Sequence, residues 1–260
     1  VRPWGRIVNN SQQIKPYVGL EDAVREFFDI GTTFSNSVAI YGGGDNADAS
    51  LTISDITSDG VFPTDADKFT RRNIGFNGGL KFDKFKVRVS ANYSHRATGA
   101  IPSGQGDDAS FGKSLLQELL QMPNDVSLVD MRDMNSVFNT PSYFFTPYAQ
   151  NPYSSLANNV VNANSDRFFG NLNFNYEFND KFSASIQLGA DIQNEAVKRY
   201  GAIVEYIPGS PQDLAAANGV VGAVSESKRS DKLYDSYLTL NYNDKFFTDF
   251  SLNSAVGVGY

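Results

Sequence analysis

The chain has 260 residues, with 22 Gly, 20 Phe and 13 Tyr against one Trp, a formal net charge of −7 and a pI near 4.7. An acidic chain with no basic stripe is not built to hold a polyanion, which excludes nucleic acid as its main partner. The absence of Cys excludes a disulfide framework or a thiolate metal site.

Abundant aromatics and glycines suit many strands joined by tight turns better than a helix bundle. No stretch approaches the roughly 18 consecutive apolar residues of a spanning helix. Transmembrane strands escape that test, because they need only about 10 residues with every second one apolar. The chain opens at Val1 without Met or signal peptide and closes at Tyr260 inside an alternating run. It is therefore expected to be an internal piece of something longer.

Residues 1–32 read as loop with a short helix. The first periodic element is a hairpin: Phe34, Val38 and Ile40 lead into Gly42-Gly43-Gly44-Asp45-Asn46, and Leu51 and Ile53 lead out. The glycine run is a turn rather than a phosphate cradle, since no Lys-Ser/Thr follows and no helix opens after it. Asp45, Asp48, Asp55 and Asp59 do not match the spacing of an EF-hand loop and read as turn chemistry.

Three further segments share one plan, two alternating runs around an Asp-Lys turn. Ile74, Phe76, Leu80 and Phe82 lead to Asp83-Lys84, and Phe85, Val87, Val89, Ala91 and Tyr93 alternate with Lys86, Arg88, Ser90 and Asn92. Phe168, Leu172, Phe174, Tyr176 and Phe178 precede Asn179-Asp180-Lys181, with Phe182, Ala184, Ile186, Leu188, Ala190 and Ile192 on the return. Tyr234, Leu238, Leu240 and Tyr242 face Phe250, Leu252, Val256 and Val258 across Asn243-Asp244-Lys245. The spacing predicts strands at 33–41, 49–57, 71–82, 85–96, 167–178, 182–195, 232–242 and 246–260. Short turns alternate with long connections at 58–70, 97–166 and 196–231.

His95, the single histidine, is placed on the polar parity beside Arg96 at a strand end; a lone imidazole there reads as a rim residue without chemistry. In the longest connection, 108–121 reads as a helix capped by Asp107 or Asp108, striped by Leu115, Leu116, Leu119 and Leu120, and ended by Pro123. It either pins the loop to the sheet or offers a surface to a partner. Tyr143, Phe144, Phe145, Tyr148 and Tyr153 crowd the same loop with Pro141, Pro147 and Pro152. Aromatic faces stack on sugars and peptide side chains, so Tyr143, Phe144, Tyr148 and Tyr153 are the candidate substrate contacts, with packing of a rigid loop as the other reading. Arg132, Asp130 and Asp133 nearby equally describe a solvated charge cluster. No nucleophile motif, metal-ligand spacing or isolated carboxylate pair points to an enzyme, a metal or a cofactor.

Alternation alone does not separate a membrane barrel from a soluble sandwich. Three features favour the barrel. The strands match the tilted crossing of a bilayer, aromatics crowd the strand ends beside the short turns (Phe82 and Phe85, Phe178 and Phe182, Tyr242 with Phe246 and Phe247), and turns and loops are unequal on the two rims. The Asn-, Ser- and Gln-rich face then lines a hydrated lumen and the aliphatic face meets lipid. Arg at Val87 is expected to cost about 2–4 kcal/mol, whereas the native Arg88 sits on the tolerant side.

Particular residues also carry a likeness. Glu21-Asp22-Ala23-Val24-Arg25-Glu26-Phe27-Phe28-Asp29-Ile30-Gly31, with Phe34-Ser35-Asn36-Ser37-Val38 and Gly42-Gly43-Gly44-Asp45 after it, resembles the segment following the plug in SusC/RagA-type TonB-dependent transporters of Bacteroidetes. Arg2-Pro3-Trp4-Gly5, Asp59-Gly60-Val61-Phe62-Pro63 before Arg71-Arg72, Asn151-Pro152-Tyr153, and Asp166-Arg167-Phe168-Phe169-Gly170-Asn171 are similar to that family in order and spacing.

The resemblance implies one all-β domain over 1–260, an antiparallel transmembrane barrel segment of about eight strands from a plugged barrel of 22. It also implies a place in the bacterial outer membrane and import of a glycan or peptide with a SusD-like surface lipoprotein. The plug and the segment that contacts the TonB complex lie outside this chain. A soluble all-β carbohydrate-binding or adhesin module, or a passive porin, is the alternative.

Overall fold

The computed structural model describes residues 7–8, 11–12, 16–101, 115–144, 149–215, 222–246 and 250–260. Two short strands, β1 (Ile7–Val8) and β2 (Ser11–Gln12), pair with each other. The remaining strands form one sheet of eight: β3 (Thr32–Gly43), β4 (Ala47–Asp59), β5 (Phe69–Phe82), β6 (Phe85–Ala100), β7 (Asn159–Glu177), β8 (Phe182–Gly201), β9 (Ala223–Phe246) and β10 (Phe250–Gly259). Each strand pairs antiparallel with its neighbours in sequence, an up-and-down order that needs no crossover.

The alternation sets the two faces. Cross-strand partners put Ile40, Leu51, Phe76, Ala91, Gly170, Ala190 and Tyr234 in one row on the apolar face. Ser90, Asn171, Gly189 and Asp235 follow one another in a row on the polar face.

Successive hairpins are displaced in one direction: Ala47 meets Leu80 rather than Phe82, Phe85 meets Tyr176, and Phe182 meets Tyr242, four residues before the end of β9. An offset that always runs the same way is the stagger that a tilted, closing barrel requires.

Turn chemistry explains two of the hairpins. Asp83 takes a left-handed backbone (φ 50°), which Asp tolerates at a two-residue connection. The Asn179 side chain accepts hydrogen bonds from the backbone N–H of Lys181 and Phe182, both at 2.9 Å, an Asx turn. The third expected turn is corrected: Asn243-Asp244-Lys245 lies inside β9, paired with 251–253, and the connection falls on 247–249, outside the described residues. Lys181 from the neighbouring turn and the Tyr242 hydroxyl both donate to Asp244 at 2.8 Å and hold it in the strand.

The strands also outrun their expected ends. β7, β8 and β9 have 19, 20 and 24 residues, taking up parts of the connections expected at 97–166 and 196–231. Beyond Tyr93, Phe168 and Ile192 the apolar face turns to Asn162, Asn164, Asn194 and Lys198, so the strand continues after its hydrophobic period has ended.

No apolar residue of β3–β10 is buried among the described residues; the buried apolar core lies elsewhere. Above the long-connection end, segments distant in sequence pack around Phe27, Leu115, Leu119, Leu128, Met131, Phe144, Tyr153 and Leu156. They include a 3₁₀ turn at Arg25–Phe27 and helices α1 (Leu115–Leu120) and α2 (Pro152–Asn158). Helix α3 (Pro211–Ala215) is tied on by Gln212, whose Nε2 donates to the Phe144 carbonyl at 2.8 Å.

The expected helix at 108–121 is described only from Leu115, and its leucine stripe divides. Leu115 and Leu119 are buried, whereas Leu116 and Leu120, about 100° further round, are exposed.

Candidate functional site

The polar face is organised by cross-strand ion pairs. Arg88 donates to both carboxylate oxygens of Asp48 (3.0 and 3.2 Å). Arg167 grips Asp191 through Nε and Nη2, its guanidinium 5.2 Å from the Phe169 ring centre. Lys86 pairs with Glu177 and Arg96 with Glu195 (3.7 Å). Between them Asn73 donates to Ser54 (3.0 Å) and Asn173 to Asn171 (3.1 Å). Exposed pairs of this kind contribute only about 0–1 kcal/mol each. Their effect is local: charges cancel, and the face keeps many exchangeable donors and acceptors.

The opposite face is an apolar belt with aromatic margins. At the short-turn end Phe85 lies 4.7 Å from Tyr176, Tyr176 5.0 Å from Phe178, and Phe182 4.7 Å from Tyr242. At the other end Tyr93, Phe168 and Ile192 form the last apolar row, and the next row reads Asn36, Asp55, Arg72, His95, Asp166 and Asn194. From Phe168 to Phe178 the belt runs about 33 Å along the strand at ~3.3 Å per residue, or about 25 Å in height at a ~40° tilt.

His95 belongs to this face, which corrects its expected parity: β6 runs unbroken to Ala100, so the odd positions that begin at Phe85 carry through Tyr93 to His95. Its Nδ1 lies 2.8 Å from Asp166 Oδ1, the same oxygen that accepts the Tyr93 hydroxyl at 2.6 Å. Asp48 and Asp55 project to opposite faces, to Arg88 and Arg72, so the four aspartates of the first hairpin do not converge.

The aromatic candidates of the long connection fall into three groups. Phe144 and Tyr153 are buried in the rim core, Tyr153 at 5.0 Å from Phe27, and burial pushes its phenol up. Tyr143 is half-buried, and Tyr148 lies outside the described residues. Asp130 and Asp133 hold the loop through their backbone, both carbonyls accepting from Asn139 at 2.9 Å.

The organising residue is Asn151, buried, whose importance shows in the sequence only as part of Asn151-Pro152-Tyr153. Its Oδ1 caps α2 by accepting from Tyr153 N–H (3.0 Å), and its amide donates to the carbonyls of Met131 (2.9 Å) and Asn139 (2.8 Å). Pro152 takes the first helical position, where a missing N–H costs nothing.

The other similar motifs also have local reasons. A side chain on Gly60 would collide with Asp67, whose carboxylate accepts from Val61 and Phe62 N–H (3.0 and 3.3 Å) and so turns Phe62 toward the ring of Phe28. Nearby, Lys68 donates to Asp65 at 2.7 Å and holds that carboxyl below its ordinary value. Arg2-Pro3-Trp4-Gly5 lies outside the described residues.

This two-faced, staggered antiparallel wall with its packed rim has the fold of a segment of a SusC/RagA-type barrel. The chain is similar to a chain in the structure of the RagAB peptide importer in the "closed-closed" state, with a TM-score of 0.60 and 16% sequence identity. The likeness covers 91% of this chain and 25% of that one, so the chain spans about a quarter of the length of its structural relative. No protein-family model and no curated protein sequence matches it.

Proposed function

We propose that this chain is a section of the barrel wall of a TonB-dependent importer in the bacterial outer membrane, passing a glycan or peptide nutrient along its polar face. The observation that carries this reading is the apolar belt. A soluble sandwich covers such a face with a second layer. Here Phe76, Leu172, Ile186 and Leu240 stay exposed, aromatics line both margins, and no layer covers the belt among the described residues. Lipid is the solvent that suits it.

Transport then proceeds by conformational coupling through the plug and the TonB complex rather than by bond chemistry. The rim supports a docked SusD-like lipoprotein, since Leu116, Leu120, Ile203 and Leu214 are exposed there. Of the aromatic candidates, Tyr143 is the substrate contact we favour, with Phe144 and Tyr153 holding its loop. The similar structure being a peptide importer inclines the passenger toward peptides.

The test uses the full-length parent in its outer membrane. Extraction only with detergent, together with uptake of labelled oligopeptide or oligosaccharide that stops when the proton-motive force is collapsed, is the expected result. Uptake that persists without that force identifies a passive pore. A water-soluble parent supports the carbohydrate-binding or adhesin module instead.

A further inference from the structure

We propose that Arg71 and Arg96 form a carboxylate-binding clamp on the polar face, which selects passengers that carry an acidic group. The site rests on the importer reading above.

The chain as a whole has a net charge of −7, yet the upper part of this face leans the other way. From the Phe169 row to the long-connection end, the register places five arginines on it: Arg71, Arg96, Arg167, Arg199 and Arg229. The acids on the same stretch of the eight strands are three, Asp191, Glu195 and Asp231. Every cation there is an arginine, whose planar fork matches a carboxylate through two parallel hydrogen bonds, where a lysine offers only a point charge.

One row concentrates this charge. It runs through Ile56, Arg71, Arg96, Ser165 and Glu195 on β4 to β8, strands that each have a neighbour on both sides in the sheet. Arg71 and Arg96 are direct cross-strand partners, a spacing of about 4.5–5.5 Å between Cβ atoms at which like charges repel. On its other side Arg71 meets the aliphatic Ile56. Arg96 leans past Ser165 toward Glu195 and stops at 3.7 Å, too long for a hydrogen bond.

Lower on the same face the sheet treats arginine differently. Arg88 reaches across Gly79 to both oxygens of Asp48, and Arg167 grips Asp191 through two nitrogens. Those forks are filled by the wall itself. At Arg71 and Arg96 two guanidinium groups stand side by side at the surface, and a carboxylate set between them accepts from both and relieves their repulsion. An acidic oligopeptide and a uronate-bearing oligosaccharide share that chemistry.

The experiment uses the full-length parent purified in detergent and two labelled, C-terminally amidated oligopeptides that differ only by glutamate against glutamine at one position. Binding is read by fluorescence anisotropy. Wild type should bind the glutamate peptide ~10-fold more tightly, with the difference shrinking as salt is raised. Arg71→Gln with Arg96→Gln should bring the ratio to about one, and Arg71→Glu should turn the preference toward a lysine-bearing peptide. The same comparison with a uronate-bearing and a neutral oligosaccharide tells which source of carboxylate the wall serves.

Wild type showing no preference for the charged member of either pair overturns the clamp, as does a preference that survives the double variant. Variants that lose both members alike, or lose the heat-resistant mobility of a folded barrel, show that the two arginines hold another part of the parent, and also overturn it. Uptake that persists without the proton-motive force removes the importer reading instead, a result distinct from all of these.

Discussion

The eight-stranded sheet and the rim above it solve the burial problem in opposite ways. The rim follows the rules of a water-soluble domain: Phe27, Leu115 and Leu119 are at most 1% exposed and surrounded by one another. The sheet has abundant apolar side chains and buries none of the large ones, with Leu240 at 55% and Val256 at 72% exposure. One chain thus holds a core of the kind a water-soluble domain has and an uncovered apolar face that, on the proposed reading, meets lipid. The crossover between them falls where the outward positions of β6–β8 change from Tyr93, Phe168 and Ile192 to His95, Asp166 and Asn194.

Substitutions can set these two regions against each other. The largest effect is expected from Phe27→Ala, which removes a wholly buried ring and should cost about 3–5 kcal/mol of rim stability. Limited proteolysis should then cut within 115–156 while the barrel band on a semi-native gel is unchanged.

Val89→Arg places a charge midway between Phe85 and Tyr93 and should cost about 2–4 kcal/mol in a urea titration from lipid vesicles, whereas Ser90→Arg, one residue along on the polar face, should cost less than about 1 kcal/mol. Equal costs at the two positions would remove the distinction between faces.

Asn151→Ala loses the cap of α2 and leaves the Met131 and Asn139 carbonyls without a donor, a loss of about 1–3 kcal/mol confined to the rim and visible as faster hydrogen exchange at Tyr153.

The smallest effect is electrostatic. Lys68 depresses Asp65, so this link contributes at neutral pH and is lost as pH falls through a value below the ordinary 3.8. Asp65→Asn should abolish that acid-side change, read as the acid titration of the Lys68 side-chain resonances by NMR.

The contrast also explains what the sequence discloses. Within the belt, one face is apolar and the other polar, so Phe168 to Phe178 and Phe182 to Ile192 alternate cleanly and their strands can be read directly. Above the belt both faces carry polar residues. Asn162, Asn164 and Lys198 carry no period, and the ends of β7 and β8 are hidden although the hydrogen bonding continues. The Asn243-Asp244-Lys245 turn misleads for a related reason: good turn residues are equally good partners for Lys181.

The rim was barely legible, because its core joins segments as distant as Phe27 and Tyr153 and no local pattern announces such a meeting. Asn151-Pro152 and Ser210-Pro211 were usable signals, each a capping residue followed by proline at the start of a helix. Crowded aromatics alone do not say whether rings face a ligand or one another, and Phe144 and Tyr153 face one core.

The most direct test of the two-faced wall exploits the absence of cysteine, which makes single introduced thiols unambiguous. Cysteines placed one at a time at 87, 88, 89, 90, 91 and 92 of the full-length protein in bilayers can each carry a fluorophore. Lipid-borne quenchers and a water-borne thiol reagent then report the surroundings of each site. Quenching from lipid at Val87, Val89 and Ala91, with aqueous labelling at Arg88, Ser90 and Asn92, is the predicted pattern. Uniform aqueous labelling at all six would contradict it and with it the barrel wall.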